Sequence, residues 1–333
     1  MERVTIDDLA ARLGLSRASV SYALNGRPGV AEETRIRVLE LARELGWQPS
    51  VSARSLSRSR ADAFGIVLNR RPEELGSEPF YMGLLSGIEA ALSDAGTSLM
   101  VRFVPDRESE AAVYRRWTAE RRVDGVILTD LRLDDQRPAL LDDLSLPYLV
   151  HSGHLTERGW HFDNDQEAAI LVDHLAALGH TRIAHVSGPA DLVHETERRE
   201  AVVAGAEQHG ILATSFAGDY SLEGGHDLTA ALLGEEDLPT AIIYSNDLMA
   251  VGGLTALREA ERTDIAVLSW DDSLLCRTAW PGISALQRDP YHAGRSTATQ
   301  LLQRVRRPGD PPVQVIPPKP SVLVVRESSH TPQ

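Results

Sequence analysis

The sequence predicts an all-helical N-terminal head followed by a larger α/β body built from two doubly wound parallel-sheet subdomains. Three observations lead to this fold class: short helical patterns in the first 47 residues, a Ser/Ala/Arg-rich stretch after them, and alternating apolar strands and helical stretches from residue 63 onward. At 333 residues the chain is also too long for one ordinary domain. We therefore expect a head at 1–47, a linker at 48–62 and a body at 63–333.

Charge is distributed unevenly along the chain. The net charge is −14, but residues 1–60 hold ten Arg against seven acidic residues and are net +3, which leaves −17 on the remainder. A basic head on an acidic body places a polyanionic partner such as nucleic acid at the head. Cys276 is the only cysteine, which excludes an intrachain disulfide, and no apolar leader or membrane-length run is visible. These features favour a cytoplasmic protein without a membrane partner.

The head contains the spacing of a helix-turn-helix. We expect a first helix at 5–13 with Thr5 as its N-cap, and a second at 16–25 with Ser16 as its N-cap. The three residues between them make a tight turn, and a third helix is expected from about residue 31 to 46. We expect this third helix to bury Ile36, Leu39 and Leu45. Two short helices with a tight turn, backed by a third, predict DNA binding.

The second helix, "SRASVSYALN" (16–25), has an unusual outer face. At 100° per residue, Val20 and Ala23 fall on the inner side, whereas Arg17, Ala18, Ser21 and Tyr22 fall on the outer side. An ordinary solvated face would carry more Lys and Glu. Small residues around one long donor and one aromatic hydroxyl indicate a surface that approaches another molecule closely, as a recognition helix does in a DNA major groove.

The stretch "QPSVSARSLSRSRADA" (48–63) has too little apolar surface to fold alone and is either a plain linker or a helix ordered only on DNA. Leu56 is its one bulky apolar residue and stands between Arg54 and Arg58. Minor-groove proteins insert such apolar side chains between base steps. The position of Leu56 therefore favours a hinge helix.

Apolar runs separated by helical stretches follow in the body, as expected for parallel sheets. The candidate strands are "FGIVL" (64–68), "SLMVRFV" (98–104), "DGVILTD" (124–130), "LPYLV" (146–150), "TRIAHVSG" (181–188), "TAIIYSND" (240–247) and "DIAVLSW" (264–270). We expect two subdomains at roughly 63–160 and 161–290, with a Pro-punctuated C-terminal segment, 291–333, that supplies an edge strand. A ligand is expected between the subdomains, at the carboxyl ends of the strands.

Several motifs in this order resemble the LacI/GalR family of bacterial transcription repressors. They are "VTIDDLAARLGLSRASVSYALNGRPGVAEETRIRVLELARELGWQPS", "ARSL", "EPFY" (78–81), "RRVDGVIL" (121–128), "LGHTRIAHVSGP" (178–189), "SNDLMAVGGLTAL" (245–257) and "SWDD" (269–272). The resemblance covers nearly the whole chain. It implies a helix-turn-helix head, a body of the periplasmic-binding-protein type, and a homodimer that reads two half-sites of a near-palindromic, double-stranded operator.

The resemblance also implies the residues that contact DNA. Base reading falls to Arg17, Ala18 and Tyr22, because they match the family's base-reading positions. The full DNA-binding set is Thr5, Ser16, Arg17, Ala18, Ser19, Ser21, Tyr22, Asn25, Ala53 and Leu56. Its small hydroxyl and amide side chains suit phosphate contacts, which set the register without reading the sequence.

In the body the resemblance implies a small effector, a mono- or oligosaccharide, and no cofactor. The matching positions are Asn69, Phe80, Tyr81, Thr129, Asp130, His151, Arg198, Tyr220, Asn246 and Asp271. Their donors, acceptors and flat rings suit a polyhydroxylated ligand.

Other interpretations of these body residues stay open. Asn246 and Asp271 could instead cap helices, and Phe80 could belong to the core. Arg199 could take the place of Arg198. A zinc site at His151 and the nearby loop histidine, His154, lacks a Cys or acidic partner at ligand spacing.

The sequence departs from the family pattern in three places, and the first two named next bear on the pocket. Ala201 and Val202 stand where a Gly and an aromatic residue are usual, "SWDD" replaces the commoner "GFDD", and the usual "G-x-x-V-P" before the strand at 265 is absent. The ligand could therefore differ from common family sugars.

Two other functions compete with a DNA-binding repressor. One is a sugar-binding protein without a DNA role, against which the basic head counts. The other is an enzyme on a doubly wound fold, but neither a G-x-G-x-x-G after the first strand, nor a P-loop, nor a nucleophile elbow is present. We therefore expect a regulator and not an enzyme.

Overall fold

A computed structural model of the protein describes residues 4–47, 60–69, 79–151, 159–160, 164–310 and 319–332. The chain forms two compact units, a head at 1–60 and a body at 61–333. No helix within the described ranges is long and apolar enough to cross a bilayer.

Residues 4–47 of the head contain the three predicted helices, α1 (Ile6–Leu13), α2 (Arg17–Leu24) and α3 (Glu32–Glu44). Thr5 and Asp8 form a capping box at the start of α1, in which each side chain accepts a hydrogen bond from the other residue's backbone N–H. Ser16 caps α2 by accepting from the N–H of Ser19 at 3.1 Å. Gly14, with φ of 66°, makes the tight turn between α1 and α2 in the left-handed conformation that glycine adopts without strain.

The prediction for the inward face of α3 is partly wrong. Ile36 and Leu39 are 49% and 44% exposed, whereas Val38 and Ala42 are buried in the head core. Leu45 packs against that core, as expected. Helix α3 has apolar residues on more than one face, and only one face can pack against two short neighbouring helices. The stripe with i, i+4 spacing through Val38 and Ala42 takes that place.

The body contains two sheets, as the sequence predicts. The first has the order β2-β1-β3-β4-β5, and all its strands are parallel. Its strands are β1 (Ala63–Asn69), β2 (Ser98–Val104), β3 (Gly125–Leu128), β4 (Tyr148–His151) and β5 (Gly159–Trp160), and the helices between them are α4 (Pro79–Asp94), α5 (Arg107–Ala119) and α6 (Arg137–Asp143).

The second sheet has the order β11-β10-β9-β8-β6-β7, parallel except for the edge strand β11. Its strands are β6 (Arg182–Ser187), β7 (Leu212–Ala217), β8 (Ala241–Tyr244), β9 (Ala266–Ser269), β10 (Ser284–Gln287) and β11 (Val322–Val324). The helices of this part are α7 (Asn164–Leu178), α8 (Val193–Gln208), α9 (Leu222–Leu232), α10 (Asp247–Glu259) and α11 (Leu274–Thr278). The seven candidate strands are all present, whereas β5, β7 and β10 were not predicted.

The last helix, α12 (Pro290–Arg306), returns to the first subdomain before β11 joins the second sheet. Its residues Ala298, Leu301 and Leu302 share a core cluster with strand β1 and helix α4. Helices α4 and α12 approach closely because glycines face the opposite backbone: a Cβ at Gly87 would overlap the carbonyl oxygen of Tyr291, and one at Gly294 would overlap that of Leu84. The predicted C-terminal strand segment, 291–333, therefore contains all but the first residue of a 17-residue helix before its edge strand.

Candidate functional site

A cleft lies where the carboxyl ends of the strands of both sheets face each other within the body. This is where ligands bind in open parallel sheets. The first subdomain lines it with Phe80, Tyr81, Leu84, Thr129, Asp130 and His151. The second lines it with Asn164, His194, Arg198, Tyr220, Ser245, Asn246, Asp247, Asp271 and Arg288.

Nine of the ten residues that the family resemblance names line this cleft, and Asn69 does not. Asn69 ends strand β1. When its amide is oriented so that each atom meets a complementary group, Nδ2 donates to the carbonyl of Pro105 at 3.3 Å and Oδ1 accepts from the guanidinium of Arg132 at 3.1 Å. Because these contacts use its polar atoms, Asn69 joins β1 to the neighbouring loops. Of the two adjacent arginines on helix α8, Arg198 is the one that lines the cleft.

Arg198 is held by a buried carboxylate below the cleft. Its Nη1 lies 2.9 Å from Oε1 of Glu195, one helical turn earlier. The same carboxylate accepts hydrogen bonds from the hydroxyls of Tyr220 and Ser245 at 2.7 Å each and from the N–H of Gly188 at 2.6 Å. Burial by itself raises the pKa of Glu195, but the charge of the Arg198 guanidinium and, less strongly, the hydrogen bond from Ser245 help to outweigh it, and the pKa is lowered to about 2. Glu195 is therefore ionised, and its carboxylate holds the side chains of Arg198 and Tyr220 in position.

A second buried carboxylate, Glu167, organises the opposite part of the second subdomain. It accepts from the indole Nε1 of Trp270 at 2.6 Å, from Nε of Arg288 at 3.0 Å and from the Ser321 hydroxyl at 2.6 Å. Arg288 also donates to Oδ1 of Asp271 at 3.1 Å. The Trp270 ring in turn lies 4.6 Å from the guanidinium carbon of Arg198, within cation–π range. Trp270, the departure in "SWDD", therefore connects the two ionic clusters beneath the cleft.

Aromatic side chains form flat walls. Phe80 lies at the start of α4, where the Arg288 guanidinium carbon is 5.1 Å from its ring centroid. The Tyr81 hydroxyl donates to Asp130 at 2.6 Å. Tyr220 packs on Gly188, where any Cβ would overlap the phenol ring. Phe80 is thus a cleft residue that also packs against the core.

Two cleft residues have an unusual backbone conformation. Asp130 and Tyr220 have φ of 50° and 67°, in the left-handed region that residues other than glycine rarely adopt. Such strain persists where the surrounding structure holds it, and it concentrates at binding sites. Both residues are held by side-chain hydrogen bonds, to Tyr81 and to Glu195 respectively.

The two histidines of the cleft are neutral at pH 7. Burial, followed by the charge of Arg288, lowers the pKa of His151 to about 3. Burial likewise lowers the pKa of His194 to about 4, against the opposing effect of Glu195. Within the described ranges no group of three metal-ligating side chains is arranged to hold an ion, and His154 lies outside those ranges.

The sequence left open whether Asn246 and Asp271 cap helices, and in the structure only Asn246 does so. Asn246 is the N-cap of α10, because its Oδ1 accepts from the N–H of Met249 at 2.9 Å, while its Nδ2 donates to the carbonyl of Tyr220 at 2.9 Å. Asp271 is not a cap; Ser273 caps α11. Asn246 therefore lines the cleft, and both polar atoms of its amide already make hydrogen bonds within the protein.

Sequence reasoning missed six cleft residues: Leu84, Asn164, His194, Ser245, Asp247 and Arg288. Arg288 follows β10, a short strand with a polar residue at each end. Because the strand has no apolar run, the sequence did not predict it. His194 lies one turn before Arg198 on α8, and Ser245 and Asp247 flank Asn246. The sequence did contain one indication of these three residues: His194, Ser245 and Asp247 lie beside, or one helical turn from, residues already proposed for the site.

Three of the four residues predicted on the outer face of α2, Arg17, Ala18 and Tyr22, are exposed, and the fourth, Ser21, is half-buried. Val20 and Ala23 are buried, as predicted. Nε of Arg17 lies 3.6 Å from Oδ1 of Asp7 in an exposed pair. The polar residues of the predicted DNA set lie at the helix ends and on α2, where Thr5 and Ser16 are N-caps and the amide of Asn25 donates to the carbonyl of Ser21. The hinge positions Ala53 and Leu56 lie outside the described residues.

Comparison with known proteins supports this arrangement. Residues 5–50 match the family described as bacterial regulatory proteins, lacI family, and residues 172–329 match a periplasmic binding protein-like domain. The HTH-type transcriptional regulator CelR of Thermobifida fusca is 31% identical over 98% of both chains. The chain belongs to the lacI family of bacterial regulatory proteins. The ribose operon repressor of Escherichia coli (strain K12) is 27% identical over 91% of this chain and 94% of its own.

Solved structures of regulators have folds similar to that of this lacI-family chain. A complex of CelR with cellobiose has a TM-score of 0.74 and 28% identity, covering 98% of this chain and all of that one. A lac repressor dimer bound to operator and the anti-inducer ONPF has a TM-score of 0.84 and 25% identity, covering 99% of this chain and all of that one. The predicted family and fold class are confirmed, and the protein is a helix-turn-helix transcriptional regulator whose compared relatives are regulators too.

Proposed function

We propose that this lacI-family protein is a repressor that binds operator DNA through its head and a sugar in the cleft of its body. The observation that carries the effector class is the composition of the cleft. Aromatic rings at Phe80, Tyr81 and Tyr220 stand beside hydrogen-bonding groups from both subdomains, which suits a polyhydroxylated ring. The CelR–cellobiose complex of a 28% identical relative supports the same class.

On the DNA side, the exposed face of α2 enters the major groove. Arg17 makes a bidentate contact with a guanine, Ala18 leaves room for a thymine methyl group, and Tyr22 donates or accepts a hydrogen bond. The remaining predicted DNA-binding residues of the head, Thr5, Ser16, Ser19, Ser21 and Asn25, contact phosphates. Ala53 and Leu56 belong to the hinge, with Leu56 inserted between base steps of the minor groove.

The protein acts in the cytoplasm as a homodimer, with a head at 1–47, a hinge at 48–62 and an effector-binding and dimerisation body at 63–333. Two heads then read the two half-sites of a near-palindromic operator. A sugar that binds one conformation of the body more tightly than the other shifts the protein towards that conformation. The free energy of operator binding then changes by at most the difference between the sugar's binding free energies for the two conformations, and such coupling is typically about 1–3 kcal/mol.

The test is binding of the purified full-length protein to its own upstream promoter DNA by fluorescence anisotropy, with and without a panel of mono- and disaccharides. The salt concentration is fixed, because phosphate contacts make DNA affinity depend steeply on salt. If the promoter is not bound, selection from random DNA finds the operator.

The outcomes separate the candidate functions. Specific binding that one sugar abolishes or strengthens supports the whole proposal and gives the sign of the switch. Specific DNA binding that no sugar changes supports the repressor function and contradicts the proposal that the effector is a sugar. Sugar binding without any selected DNA sequence identifies the alternative, a sugar-binding protein without a DNA role.

A further inference from the structure

The loop between strand β3 and helix α6 (129–136), called the β3–α6 loop below, contains a residue with an unfavourable backbone conformation. This residue, Asp130, lines the cleft and has φ of 50°, in the left-handed region that residues other than glycine rarely adopt. A conformation of this kind persists only where surrounding contacts hold it. The contacts that hold this loop therefore bear on the shape of the cleft.

The same loop joins the two subdomains through its backbone. The N–H of Leu133 donates to the carbonyl of Asp191 at 3.0 Å, and the carbonyl of Leu131 accepts from the N–H of Val193 at 2.9 Å. Val193 begins helix α8, which carries the cleft residue Arg198. A change in the conformation of the β3–α6 loop would therefore alter one wall of the cleft and the junction between the subdomains together.

A buried guanidinium holds the loop in place. Arg137, at the start of α6, is 8% exposed, and its Nη2 donates to the backbone carbonyl of Asp130 at 2.8 Å. Its Nε and Nη2 donate to the carboxylate of Asp135 at 2.9 and 2.6 Å, and its Nη1 donates to Oε1 of Glu110 at 2.9 Å. Glu110 lies on α5 and is 1% exposed. The guanidinium thus connects both ends of the loop to a neighbouring helix.

Arg137 belongs to a buried ionic cluster, which consists of Glu110, Asp135 and Arg137. In this cluster Asp135 also accepts from the N–H of Arg132 at 3.0 Å, and Glu110 accepts from the hydroxyl of Tyr114 at 2.9 Å. A buried ion pair is weak evidence for stability, because its desolvation offsets its attraction, and uncharged residues of similar shape often stabilise a fold as well. Positioning of the loop accounts for the cluster better than stabilisation of the fold does.

We propose that the ionic cluster fixes the conformation of the β3–α6 loop, and that Arg137 is a positioning residue for the effector site. Through the Asp130 carbonyl it keeps the Asp130 carboxylate at the cleft, and through the loop it keeps Leu131 and Leu133 bonded to the second subdomain. No member of the cluster is among the described residues that line the cleft. The effect on the effector rests on the sugar-binding function proposed above, whereas the effect on the loop does not.

The first test measures hydrogen exchange in the ligand-free, full-length protein by mass spectrometry. The double variant Glu110→Gln/Arg137→Met removes one buried ion pair, keeps the net charge, and leaves an acceptor for the Tyr114 hydroxyl. We expect the amides of Leu133 and Val193 to exchange at least tenfold faster, because the loop loses the donor that holds it. Strand β8 should exchange as in wild type, and the urea midpoint should stay near the wild-type value.

The matched control is the double variant Glu108→Gln/Arg115→Met, which changes the same residue types at two exposed positions of α5. It should exchange as wild type throughout. A further variant, Arg137→Lys, keeps the charge but lacks the planar fork that bonds two carboxylates and a carbonyl at once. It should also speed exchange in the loop, and it gives the comparison if the first double variant does not fold.

The second test measures sugar binding. Thermal shift with glucose, galactose, lactose and cellobiose identifies a stabilising sugar, and calorimetry measures its affinity. We expect Glu110→Gln/Arg137→Met to bind the stabilising sugar at least fivefold more weakly than wild type, with an unchanged urea midpoint. The control Glu108→Gln/Arg115→Met should bind it as wild type does. A residue with a merely structural role would not separate affinity from stability in this way.

The possible results distinguish the two proposals. Unchanged exchange at Leu133 and Val193 overturns the positioning role, and so does faster exchange throughout the protein together with a lower urea midpoint. Faster exchange confined to the loop and its partners, with unchanged sugar affinity, contradicts the effect on the effector site. If none of the four sugars binds, the result counts against the sugar effector proposed above, and hydrogen exchange alone decides whether the cluster positions the loop.

Discussion

Arg107 and Asp191 connect the two subdomains of the body through a hydrogen-bonded ion pair, with Nη2 of Arg107 2.7 Å from Oδ2 of Asp191. Arg107 begins α5 in the first subdomain, and Asp191 lies between β6 and α8 in the second. Backbone bonds accompany the pair: the N–H of Leu133 donates to the carbonyl of Asp191 at 3.0 Å, and that of Val193 to the carbonyl of Leu131 at 2.9 Å. These contacts hold the subdomains together beside the cleft.

Asp191→Ala should therefore weaken effector binding. Because the pair is exposed, we expect a modest effect, about threefold in Kd, with faster dissociation. The matched control is Asp94→Ala, which removes the exposed partner of Arg295, 3.0 Å away, within the first subdomain. Calorimetry at low and at 0.5 M salt checks this, since salt should reduce the difference. Equal effects of the two substitutions would contradict a role in joining the subdomains.

Acid stability should depend on Glu195. Its pKa is about 2 in the folded protein, below the ordinary 4.5, so its contribution to stability is present above about pH 4.5 and is lost as pH falls towards 2. Glu195→Gln should lower the free energy of unfolding at pH 7 by about 3–5 kcal/mol, because it leaves Arg198 buried without its partner. It should also flatten the stability profile between pH 5 and 3.

Urea unfolding across this pH range measures both effects. Glu200→Gln, an exposed carboxylate on the same helix, is the control and should keep the wild-type profile. A Glu195→Gln profile that falls as steeply as that of wild type would assign the acid sensitivity to other carboxylates.

The helix-turn-helix and the sheets were predictable because their signals are local. Capping residues such as Thr5 and Ser16 lie next to the helices they begin. The apolar strand β8 is buried throughout, and β1 is buried except at its last residue. The position of the cleft followed from the rule that ligands bind at strand carboxyl ends. The family resemblance then supplied most of the individual side chains.

The rest of the site depends on contacts distant in sequence. Glu167 and Trp270 are 103 residues apart and meet only because two elements of one subdomain pack together. Arg288 was missed along with its short strand, and Asn69 was misplaced because its amide turns towards Arg132. On α3, periodicity allowed more than one buried face, and only the packing of the head selects between them.

The close contact between α4 and α12 should tolerate no side chain at Gly87. A Cβ there would overlap the Tyr291 carbonyl oxygen, so Gly87→Ala should destabilise the protein by about 1–3 kcal/mol. Gly205→Ala, in α8, is the matched control, because its Cβ would approach nothing nearer than Val172 at 3.8 Å. That substitution should stabilise by about 0.5–1 kcal/mol. Opposite changes in the thermal midpoint are expected, and a loss of equal size in both would contradict the packing argument.

Arg17→Ala should change which operators the protein prefers. Loss of a bidentate contact removes about 1–3 kcal/mol of discrimination at one base pair and leaves preference elsewhere intact. Arg43→Ala removes the same charge from the last turn of α3 and should alter affinity without altering preference. Selection from random DNA at one salt concentration, followed by anisotropy on single-base variants, measures both. An unchanged site preference in Arg17→Ala would remove the base-reading assignment.

Trp270→Phe should affect stability and effector binding together. The indole is fully buried, its Nε1 donates to Glu167, and its ring supports Arg198 at the cleft. Phenylalanine leaves Glu167 without one donor and reduces the surface under the guanidinium, at a cost of about 2–3 kcal/mol in unfolding free energy.

Trp280→Phe is the matched control, because the Trp280 side chain is 83% exposed, and it should leave both quantities unchanged. Urea unfolding and calorimetry with the stabilising sugar make the comparison. If Trp270→Phe lowers stability while sugar affinity stays at the wild-type value, the position of Arg198 does not depend on the indole. A parallel loss of both would mean that the departure from the family pattern at residue 270 acts through Glu167 and Arg198 on the ligand.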